Sequence, residues 1–487
     1  MIEIQNVSFK YEGGECSTLD NINLTIPDGK VVVLTGESGC GKTTITRLIN
    51  GLIPYYYKGE FNGSVLINGK SVEEMSFYAI SEMVGSVFQN PRSQFFNVDT
   101  NAELAFECEN RGMLKEEILK RVADTAGKFG IETLMERSIF ELSGGQKQKI
   151  ACASVSVSEP LIYVLDEPSA NLDMEATREL KNCIRMWKET GKTVIVSEHR
   201  LSYLRDVADE IIYIKAGKIE ELFTIEEFSL LSREKLDSMG LRPMTNKQFI
   251  REAAIYKEMP CREVKLSKFH FAYKNGMKIL NIEKGILPFG KVVAIIGHNG
   301  AGKSTFARCL CGLERKFKGT IEYNGTVLKN KNRLKRCYMV MQDVNHQLFT
   351  ESVLDEVLIS MPLKDERIAS EILESLDLTK YKDKHPLSLS GGQKQRTAIA
   401  SAMAAGRDIV IFDEPTSGLD LYHMKEVAKN INKLQNDGRS VFVITHDLEL
   451  ILTSCTWVLR LEKGKICEQY PLDSIGVTKV MNFFKED

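Results

Sequence analysis

The sequence predicts an α/β protein made of two similar P-loop domains, and three observations lead to this prediction. The phosphate-binding pattern GxxxxGK[ST] occurs twice in the 487 residues. Each copy is followed by the same series of short motifs in the same order. Apolar runs that favour strands alternate with polar runs that favour helices, which is the pattern of a parallel sheet connected by helices. The chain therefore has the pattern of an internal duplication.

The two phosphate-binding loops each lie between a predicted strand and a predicted helix. Residues 31–34 and 292–296 are apolar and lead into the loops, and the amides that open the following helix can face a phosphate. The lysine is expected at the outer phosphates, and Thr43 or Ser304 at Mg²⁺. The predicted nucleotide-binding residues are Gly36, Ser38, Gly39, Cys40, Gly41, Lys42, Thr43 and Thr44 in the first copy and Gly297, Asn299, Gly300, Ala301, Gly302, Lys303, Ser304 and Thr305 in the second.

The motif spacing shows where the two copies differ. Lys42 and Lys303 are 261 residues apart, Gln89 and Gln342 are 253 apart, and every later pair of motifs is 247 apart. The first copy therefore has extra residues on both sides of its glutamine. No net insertion follows the Leu-Ser-Gly-Gly-Gln segment. The chemistry of the two copies is predicted to be the same, and their differences to lie before that segment.

Two adjacent carboxylates end a predicted strand in each copy. They are Asp166 and Glu167 in the first copy and Asp413 and Glu414 in the second. The aspartate is expected to hold Mg²⁺, often through water, and the glutamate to face the γ-phosphate and polarise an attacking water. Each pair is thus predicted to divide metal binding and catalysis between two neighbouring residues.

A histidine and a glutamine complete each predicted site. His199 and His446 follow a further short apolar strand, where an imidazole can contact the γ-phosphate and the charge of the transition state. Gln89 and Gln342 are expected to complete the Mg²⁺ shell and to sense the γ-phosphate. The predicted catalytic residues are Glu167, His199, Glu414 and His446. The predicted metal-binding residues are Thr43, Gln89, Asp166, Ser304, Gln342 and Asp413.

The Leu-Ser-Gly-Gly-Gln segment also occurs in both copies. Its glycines let backbone amides approach a phosphate closely, and the helix that follows adds its positive end. The predicted nucleotide-binding residues of these segments are Ser143, Gly144, Gly145 and Gln146 in the first copy and Ser390, Gly391, Gly392 and Gln393 in the second.

These motifs, in this order, resemble those of the ATPase subunits of ABC transporters. The resemblance covers nearly all of the chain except the linker and the C-terminal tail. It implies ATP and Mg²⁺ as cofactors, ATP hydrolysis as the activity, and a RecA-like α/β core with a helical subdomain in each domain. Tyr11 and Tyr273 resemble the aromatic residue that stacks on adenine in this family.

The resemblance further implies that the two domains pair head to tail within the chain, so that each signature segment acts on the nucleotide held by the other domain. One composite site would join Lys42, Asp166, Glu167 and His199 to Ser390, Gly391 and Gly392. The other would join Lys303, Asp413, Glu414 and His446 to Ser143, Gly144 and Gly145. No motif residue is replaced in either set, which predicts two competent sites.

Composition indicates which partners and which cellular compartment to expect for the protein. The net charge is −2, from 64 basic and 66 acidic residues, so bulk electrostatics do not support a nucleic-acid partner. Eleven cysteines without paired CxxC spacing favour a reduced compartment over a disulfide scaffold. No apolar run approaches the roughly 18–20 residues of a membrane span, so a membrane role is expected to come through a partner. Residues 1–220 and 263–487 are predicted to be the ATPase domains, and 221–262 a linker with some helix.

Four stretches of sequence resemble the fused ATPases of energy-coupling-factor (ECF) importers: residues 51–60, 88–96, 197–201 and 347–349. This resemblance implies a peripheral protein at the cytoplasmic face of the cell membrane. Its partners would be a transmembrane scaffold subunit and a substrate-binding membrane subunit, and its cargo a vitamin, a vitamin precursor or a metal ion. The residues that would contact the scaffold are Phe95, Phe96, Leu348 and Phe349, with packing inside the helical subdomain as the alternative.

Two other classes of tandem ATPase stay open on the sequence. Sugar-importer ATPases have a similar length, but their second half is usually degenerate. A soluble tandem ATPase that acts on the ribosome or on nucleic acid would have no membrane partner, and a longer, strongly basic linker would be expected of it.

Cys40 allows two interpretations. It is expected to be a small residue that fills the first phosphate-binding loop. The alternative is a reactive thiol, because a helix N-terminus and Lys42 would lower its pKa.

Overall fold

The computed structural model describes residues 1–14, 16–170, 172–245, 262–273, 278–323 and 325–484. The chain divides into two compact units, Met1–Thr245 and Asn246–Asp487. Among the described residues, none of the helices combines the length and the apolar character that crossing a bilayer requires.

The first unit alternates strands and helices over most of its length. Its strands are β1 Ile2–Tyr11, β2 Leu19–Ile26, β3 Val31–Thr35, β4 Gly59–Ile67, β5 Lys70–Ser71, β6 Val84–Val87, β7 Ile162–Asp166, β8 Thr193–Ser197, β9 Glu210–Lys215 and β10 Lys218–Thr224. Its α-helices are α1 Lys42–Ile49, α2 Leu52–Tyr55, α3 Phe77–Met83, α4 Thr100–Asn110, α5 Lys115–Phe129, α6 Gly144–Ser156, α7 Met174–Glu189, α8 Ile225–Ser229 and α9 Arg233–Met239. Short 3-10 helices cover Pro91–Ser93, Glu132–Leu134, Ile139–Glu141 and Ser202–Leu204.

The central sheet of the first unit has the order β10-β9-β3-β8-β7-β6. All neighbouring strands in it are parallel except the edge pair of β9 and β10. Every residue of β3 is buried, with Val31 and Val33 in one apolar core and Val32 and Leu34 in the other. A strand covered on both faces must be apolar throughout, which explains the unbroken Val-Val-Val-Leu run. The predicted parallel α/β sheet is confirmed.

A second, antiparallel sheet in the first unit has the order β2-β1-β4-β5. Its strands alternate buried and exposed residues, as in Leu19–Ile26, because only one face packs on the core. The sequence analysis did not identify this sheet. The helices α4, α5 and α6 lie between β6 and β7 in the chain and form the predicted helical subdomain.

The second unit repeats this architecture. Its strands are β11 Arg262–Ala272, β12 Lys278–Phe289, β13 Val292–Ile296, β14 Lys318–Tyr323, β15 Thr326–Val327, β16 Cys337–Val340, β17 Ile409–Asp413, β18 Ser440–Ile444, β19 Trp457–Glu462 and β20 Lys465–Pro471. Its α-helices are α10 Lys303–Cys311, α11 Asn330–Arg336, α12 Val353–Ser360, α13 Glu366–Glu374, α14 Gly391–Ala404, α15 Leu421–Asn436, α16 Leu448–Ser454 and α17 Ser474–Phe483. Short 3-10 helices cover Val344–His346, Thr379–Tyr381 and Pro386–Ser388.

The strand order of the second unit, β16-β17-β18-β13-β19-β20, matches that of the first. In both sheets the strand before the phosphate-binding loop pairs with the strand that precedes the histidine. The strand that precedes the histidine also pairs, on its other side, with the strand that leads into Asp-Glu. The carboxyl ends of parallel strands meet at one edge of a sheet, and ligands of open α/β sheets bind at that edge. The topology therefore collects the predicted site residues of each unit.

Residues 221–245, which the sequence analysis placed in a linker, pack with the first unit. Thr224 and Glu227 form a reciprocal capping box at the start of α8. Phe228, Leu236 and Met244 are buried in the apolar core that also contains β3 residues. These apolar side chains lose contact with water on packing, which stabilises the segment against the domain. The rest of the predicted linker, 246–261, lies outside the described residues.

Candidate functional site

Glycines shape both phosphate-binding loops. Gly36 and Gly41 have φ values of 153° and 111°, a region that residues with side chains rarely adopt. A Cβ on Gly36 would lie 2.1 Å from Ile214 O. In the second loop a Cβ on Gly297 would lie 2.2 Å from Leu461 O. The two loops therefore have the same backbone path, and that path requires glycine for the same steric reason.

The lysine of each loop folds back over the loop. Lys42 Nζ donates to Gly36 O at 3.0 Å and to Glu37 O at 2.9 Å. Lys303 Nζ makes the equivalent bonds to residues 297 and 298, at 2.6 and 3.1 Å. Both lysines are buried. The ammonium groups thus lie within the ring of backbone that the predicted phosphate would occupy.

A hydroxyl and a carboxylate meet beside the first loop. Thr43 Oγ1 donates to Asp166 Oδ1 at 3.1 Å. Burial raises the pKa of Asp166, and the nearby charge of Glu167 raises it further. Burial likewise raises the pKa of Asp413, against the lowering effect of its hydrogen bond with Ser304. Hard oxygen atoms of this kind are the ligands that Mg²⁺ prefers, and a cation would offset the cost of keeping the carboxylate ionised. The residues present fit the predicted metal.

The predicted catalytic glutamates have an uncommon backbone conformation. Glu167 and Glu414 have φ values of 43° and 51°, in the left-handed region where residues other than glycine are rare. Each is held at the end of its strand by a backbone bond to the neighbouring strand, Glu167 N to Ser197 O at 2.8 Å and Glu414 N to Ile444 O at 2.9 Å. Conformations of this kind cluster at functional sites, because the surrounding structure has to hold them.

The structure brings the predicted glutamate, histidine and glutamine of the first site together. His199 Nε2 lies 3.3 Å from Glu167 Oε1. It is buried, and within the described part of the chain it has no partner with hydrogen-bond alignment. Gln89 Nε2 donates to the other glutamate oxygen, Oε2, at 2.7 Å. A buried ring nitrogen usually has a hydrogen-bond partner, and a phosphate oxygen could supply one here.

The second site has a similar arrangement, with a longer distance between histidine and glutamate. His446 Nε2 lies 3.7 Å from Glu414 Oε1, and the backbone N–H of the histidine donates to Oε2 at 3.3 Å. Gln342 is exposed and, among the described residues, forms no counterpart to the Gln89 bond. The two sites therefore share the glutamate and histidine geometry and differ at the glutamine.

The two predicted adenine-stacking tyrosines are tied to the helix that follows each loop. The hydroxyl of Tyr11 lies 3.1 Å from Thr44 Oγ1 and accepts from Arg47 Nη1 at 2.9 Å. The hydroxyl of Tyr273 lies 3.3 Å from Thr305 Oγ1, and this tyrosine is 40% exposed. The structure thus places both tyrosines beside the loops, and adenine stacking stays a prediction.

The signature segments have a structural role that the sequence analysis missed. Ser143 Oγ accepts from Gln146 N, and Gln146 Oε1 accepts from Ser143 N, so the two residues form a capping box that begins α6. Ser390 and Gln393 do the same at α14. The spacing Ser-x-x-Gln is itself the signal of a capping box and could have indicated this.

The two glycines of each signature segment differ in their surroundings. A Cβ on Gly145 would lie 2.7 Å from the Cβ of Ala176, and one on Gly392 would lie 3.2 Å from Leu419. A Cβ on Gly144 or Gly391 would meet none of the described atoms within 4 Å. Packing therefore explains the second glycine, whereas the first leaves open space above the start of the helix.

The interpretation of Cys40 as a reactive thiol is wrong. Its side chain is 5% exposed, and burial raises the pKa of the thiol more than neighbouring Lys42 lowers it. Desolvation disfavours the thiolate, which is the reactive form. Cys40 instead fills space within the loop.

The four predicted contact residues separate into two classes. Leu348 is buried and Phe95 is partly buried against the apolar core of its unit, so these two pack within their own unit. Phe96 and Phe349 are 76% and 71% exposed. The structure thus retains one candidate contact residue in each unit.

A buried carboxylate that the sequence analysis missed holds each exposed phenylalanine. Glu103 Oε2 accepts the backbone N–H of Phe96 at 3.0 Å and that of Asn97 at 2.8 Å. Glu356 Oε2 accepts from Phe349 and Thr350 at 3.0 and 3.1 Å. Both glutamates stand at the same 253-residue offset as the glutamines, so the repeat itself carried the signal.

Comparison with known proteins assigns the family. A family model described as ABC transporter matches residues 19–170 and 282–417, more than half of the chain. The chain belongs to the ABC transporter family. An ABC transporter ATP-binding protein of Treponema denticola is 46% identical to it over 475 residues, which cover 96% of this chain and 97% of the relative. One from Methanosarcina mazei is 30% identical over 521 residues, covering 96% and 88%.

The same fold occurs in a solved structure of RNase-L Inhibitor, with a TM-score of 0.67 and 21% identity over 99% of this chain and 93% of the other. At this identity the likeness concerns the fold. The family match in both units makes this ABC protein a tandem ATPase, with two P-loop domains and ATP hydrolysis as its activity.

Proposed function

We propose that this ATPase is the ATP-binding subunit of an ABC importer of the energy-coupling-factor type, and that it drives uptake of a small micronutrient. The observation that carries the proposal is the pair of exposed phenylalanines, Phe96 and Phe349. Each is presented by a loop whose backbone is fixed by a buried glutamate. A rigid loop with an exposed aromatic tip suits binding to an apolar protein surface, because little conformational freedom is lost on binding.

The proposed chemistry uses equivalent residues in the two domains. Lys42 and Lys303 bind the outer phosphates of ATP. Glu167 polarises the attacking water, and His199 stabilises the charge on the γ-phosphate. Thr43, Asp166 and Gln89, with Ser304, Asp413 and Gln342 in the second domain, would hold Mg²⁺. When bound, Mg²⁺ neutralises charge on the phosphate oxygens.

Each signature segment is proposed to act on the nucleotide bound by the other domain. The open space above Gly144 and Gly391 supports this, because their own domains do not fill it. The amides at the start of α6 and α14 carry the positive end of a helix, which favours a phosphate. Two ATP molecules would then be enclosed by one chain.

The partners are proposed to be a transmembrane scaffold subunit and a substrate-binding membrane subunit, with this chain peripheral at the cytoplasmic face. Vitamins, vitamin precursors and metal ions are the proposed classes of cargo. The cargo would contact the membrane subunits, because the family resemblance implies that the ATPase subunit does not bind it.

Purification of the tagged chain from detergent-solubilised membranes tests this proposal. We expect small apolar membrane proteins to be recovered with the wild-type chain, and to be lost from the variant Phe96→Ser/Phe349→Ser. Leu230→Ser is the matched control, because Leu230 is 85% exposed but lies outside the phenylalanine loops. The control should retain the membrane proteins.

Two outcomes of that purification would contradict the proposal. Recovery of ribosomal components, released by high salt, would favour the soluble tandem ATPase instead. Equal recovery of membrane proteins by the wild type and the phenylalanine variant would show that these side chains do not bind the scaffold.

A further inference from the structure

In the first domain, one buried carboxylate joins the loop after Glu167 to the loop that carries His199. Ser169 Oγ donates to Glu198 Oε2 at 2.6 Å, and the hydroxyl of Tyr203 donates to the same oxygen at 3.1 Å. Glu198 Oε1 accepts the backbone N–H groups of residues 199 and 200 at 2.8 and 3.1 Å. Glu198 is 2% exposed, so these four donors replace water around its charge.

In the second domain the carboxylate comes from the other side of the histidine. Thr445 occupies the position of Glu198, and Asp447 follows His446. Thr416 Oγ1 donates to Asp447 Oδ2 at 2.8 Å, and Leu450 N donates to Oδ1 at 3.3 Å. Asp447 is 4% exposed. In both domains a buried carboxylate on the loop that carries the histidine thus accepts a hydrogen bond from a hydroxyl on the neighbouring loop. The carboxylate itself comes from a different position in each domain.

The surrounding residues change together with the carboxylate. Asp447 begins α16 as its N-cap, whereas Arg200 stands at that position in the first domain, where only the 3-10 turn Ser202–Leu204 follows. Tyr203 stands at the position of Leu450 and contributes a hydroxyl where the second domain contributes a backbone N–H. Each domain therefore satisfies its own buried carboxylate with its own set of donors.

The bridge lies beside the predicted catalytic pair. A backbone bond from Glu167 N to Ser197 O joins the end of β7 to the end of β8, and a loop follows each of these strands. The Ser169–Glu198 bond is a second link between these two loops. The 3.3 Å distance between His199 Nε2 and Glu167 Oε1 spans these same two loops. Movement of one loop relative to the other would change that distance.

We propose that Glu198 and Asp447 are positioning residues that hold each histidine in register with the neighbouring glutamate. The inference rests on the proposed roles of Glu167 and His199 in hydrolysis. Neither bridging carboxylate lies in the phosphate-binding loop, so its loss should lower kcat and leave the KM for ATP unchanged. A shift of about 1 Å between reacting groups is enough to slow catalysis up to about 100-fold.

The test measures ATP hydrolysis by the purified full chain carrying Glu414→Gln, so that the first site alone contributes. This chain serves as the wild type for the comparisons that follow. We expect Glu198→Thr to lower kcat about tenfold, with the KM for ATP within about twofold of the wild type. The triple variant Glu198→Thr/Arg200→Asp/Tyr203→Phe recreates the donor and acceptor set of the second domain, and should recover at least half of the wild-type kcat. Arg200→Ala is the control, because the backbone N–H of Arg200 remains available to Glu198.

An unchanged kcat in Glu198→Thr would overturn the proposal. A triple variant with the same unfolding temperature as the wild type, but with no recovery of activity, would also overturn it. If Glu198→Thr does not fold, Ser169→Ala removes one bond of the bridge and must still lower kcat at unchanged KM. Glu167→Gln is assayed in parallel. An active Glu167→Gln would contradict the proposed function, whereas an inactive Glu167→Gln beside an active Glu198→Thr would contradict the bridge alone.

Discussion

Cys40 and Lys42 lie two positions apart in the first phosphate-binding loop, and both side chains are buried. Lys42 Nζ donates to two backbone carbonyl groups, whereas burial raises the pKa of the Cys40 thiol more than Lys42 lowers it. Sequence identified both residues as part of the loop. Burial depends on residues from distant strands, such as Ile214, which lies in the same apolar cluster as Cys40.

N-ethylmaleimide should label Cys40 slowly in the native chain. Burial raises the pKa of this thiol and shields it, whereas Cys16 and Cys467 are exposed and should react first. Peptide mass spectrometry over a time course measures the order of labelling, with the unfolded chain as the control in which Cys40 and Cys16 react at similar rates. Labelling of Cys40 as fast as Cys16 in the native chain would contradict this prediction.

At the scale of elements, the strands and helices that carry the site were predictable, and the segment after β10 was not. The unbroken apolar run of β13 and the Ser-x-x-Gln start of α14 are local signals. The helices α8 and α9 are short and amphipathic, and such a pattern does not show which surface will cover its apolar side. Only the packing of Phe228 into the first unit settles that these helices belong to it.

Phe228→Ala should destabilise the first unit by about 3–5 kcal/mol, because it removes a buried aromatic side chain that is 1% exposed. Leu230→Ala, at a position 85% exposed, should change the free energy of unfolding by less than about 0.5 kcal/mol. Urea unfolding followed by Trp187 fluorescence in a Trp457→Phe background reports on the first unit. Equal unfolding midpoints for the two variants would show that α8 does not stabilise this unit.

At the scale of the whole molecule, the two units have the same strand order and the same glutamate and histidine geometry, although they bury their bridging carboxylates from different positions. The constant 247-residue offset made this duplication visible in the sequence. Glu198 and Thr445 are also 247 residues apart, but they differ in residue type. The repeat alone therefore gave no reason to compare them. Their relation became clear only through the hydroxyls of Ser169 and Thr416.

The double variant Glu167→Gln/Glu414→Gln should lower ATP hydrolysis by the full chain about 100-fold or more, and each single variant at least about twofold, since an amide does not activate water as a carboxylate does. Two complete sets of site residues are the reason to expect an effect from both single variants. Glu109→Gln, an exposed glutamate in α4, is the control and should leave the rate unchanged. If one of the two single variants kept about the wild-type rate, its site would be idle.

The sequence by itself determined the fold class and the duplication, and it predicted the residues that would meet nucleotide, because phosphate binding requires particular residues at short, fixed spacings that survive in a linear pattern. The tertiary structure decided which side chains are buried, and that changed several assignments. It removed Cys40, Phe95 and Leu348 from the reactive or contacting surface and left Phe96 and Phe349 exposed. It also brought Glu198 to Ser169, a pairing between residues 29 positions apart. Burial and such pairings depend on which distant segments pack together, and local spacing carries no record of that.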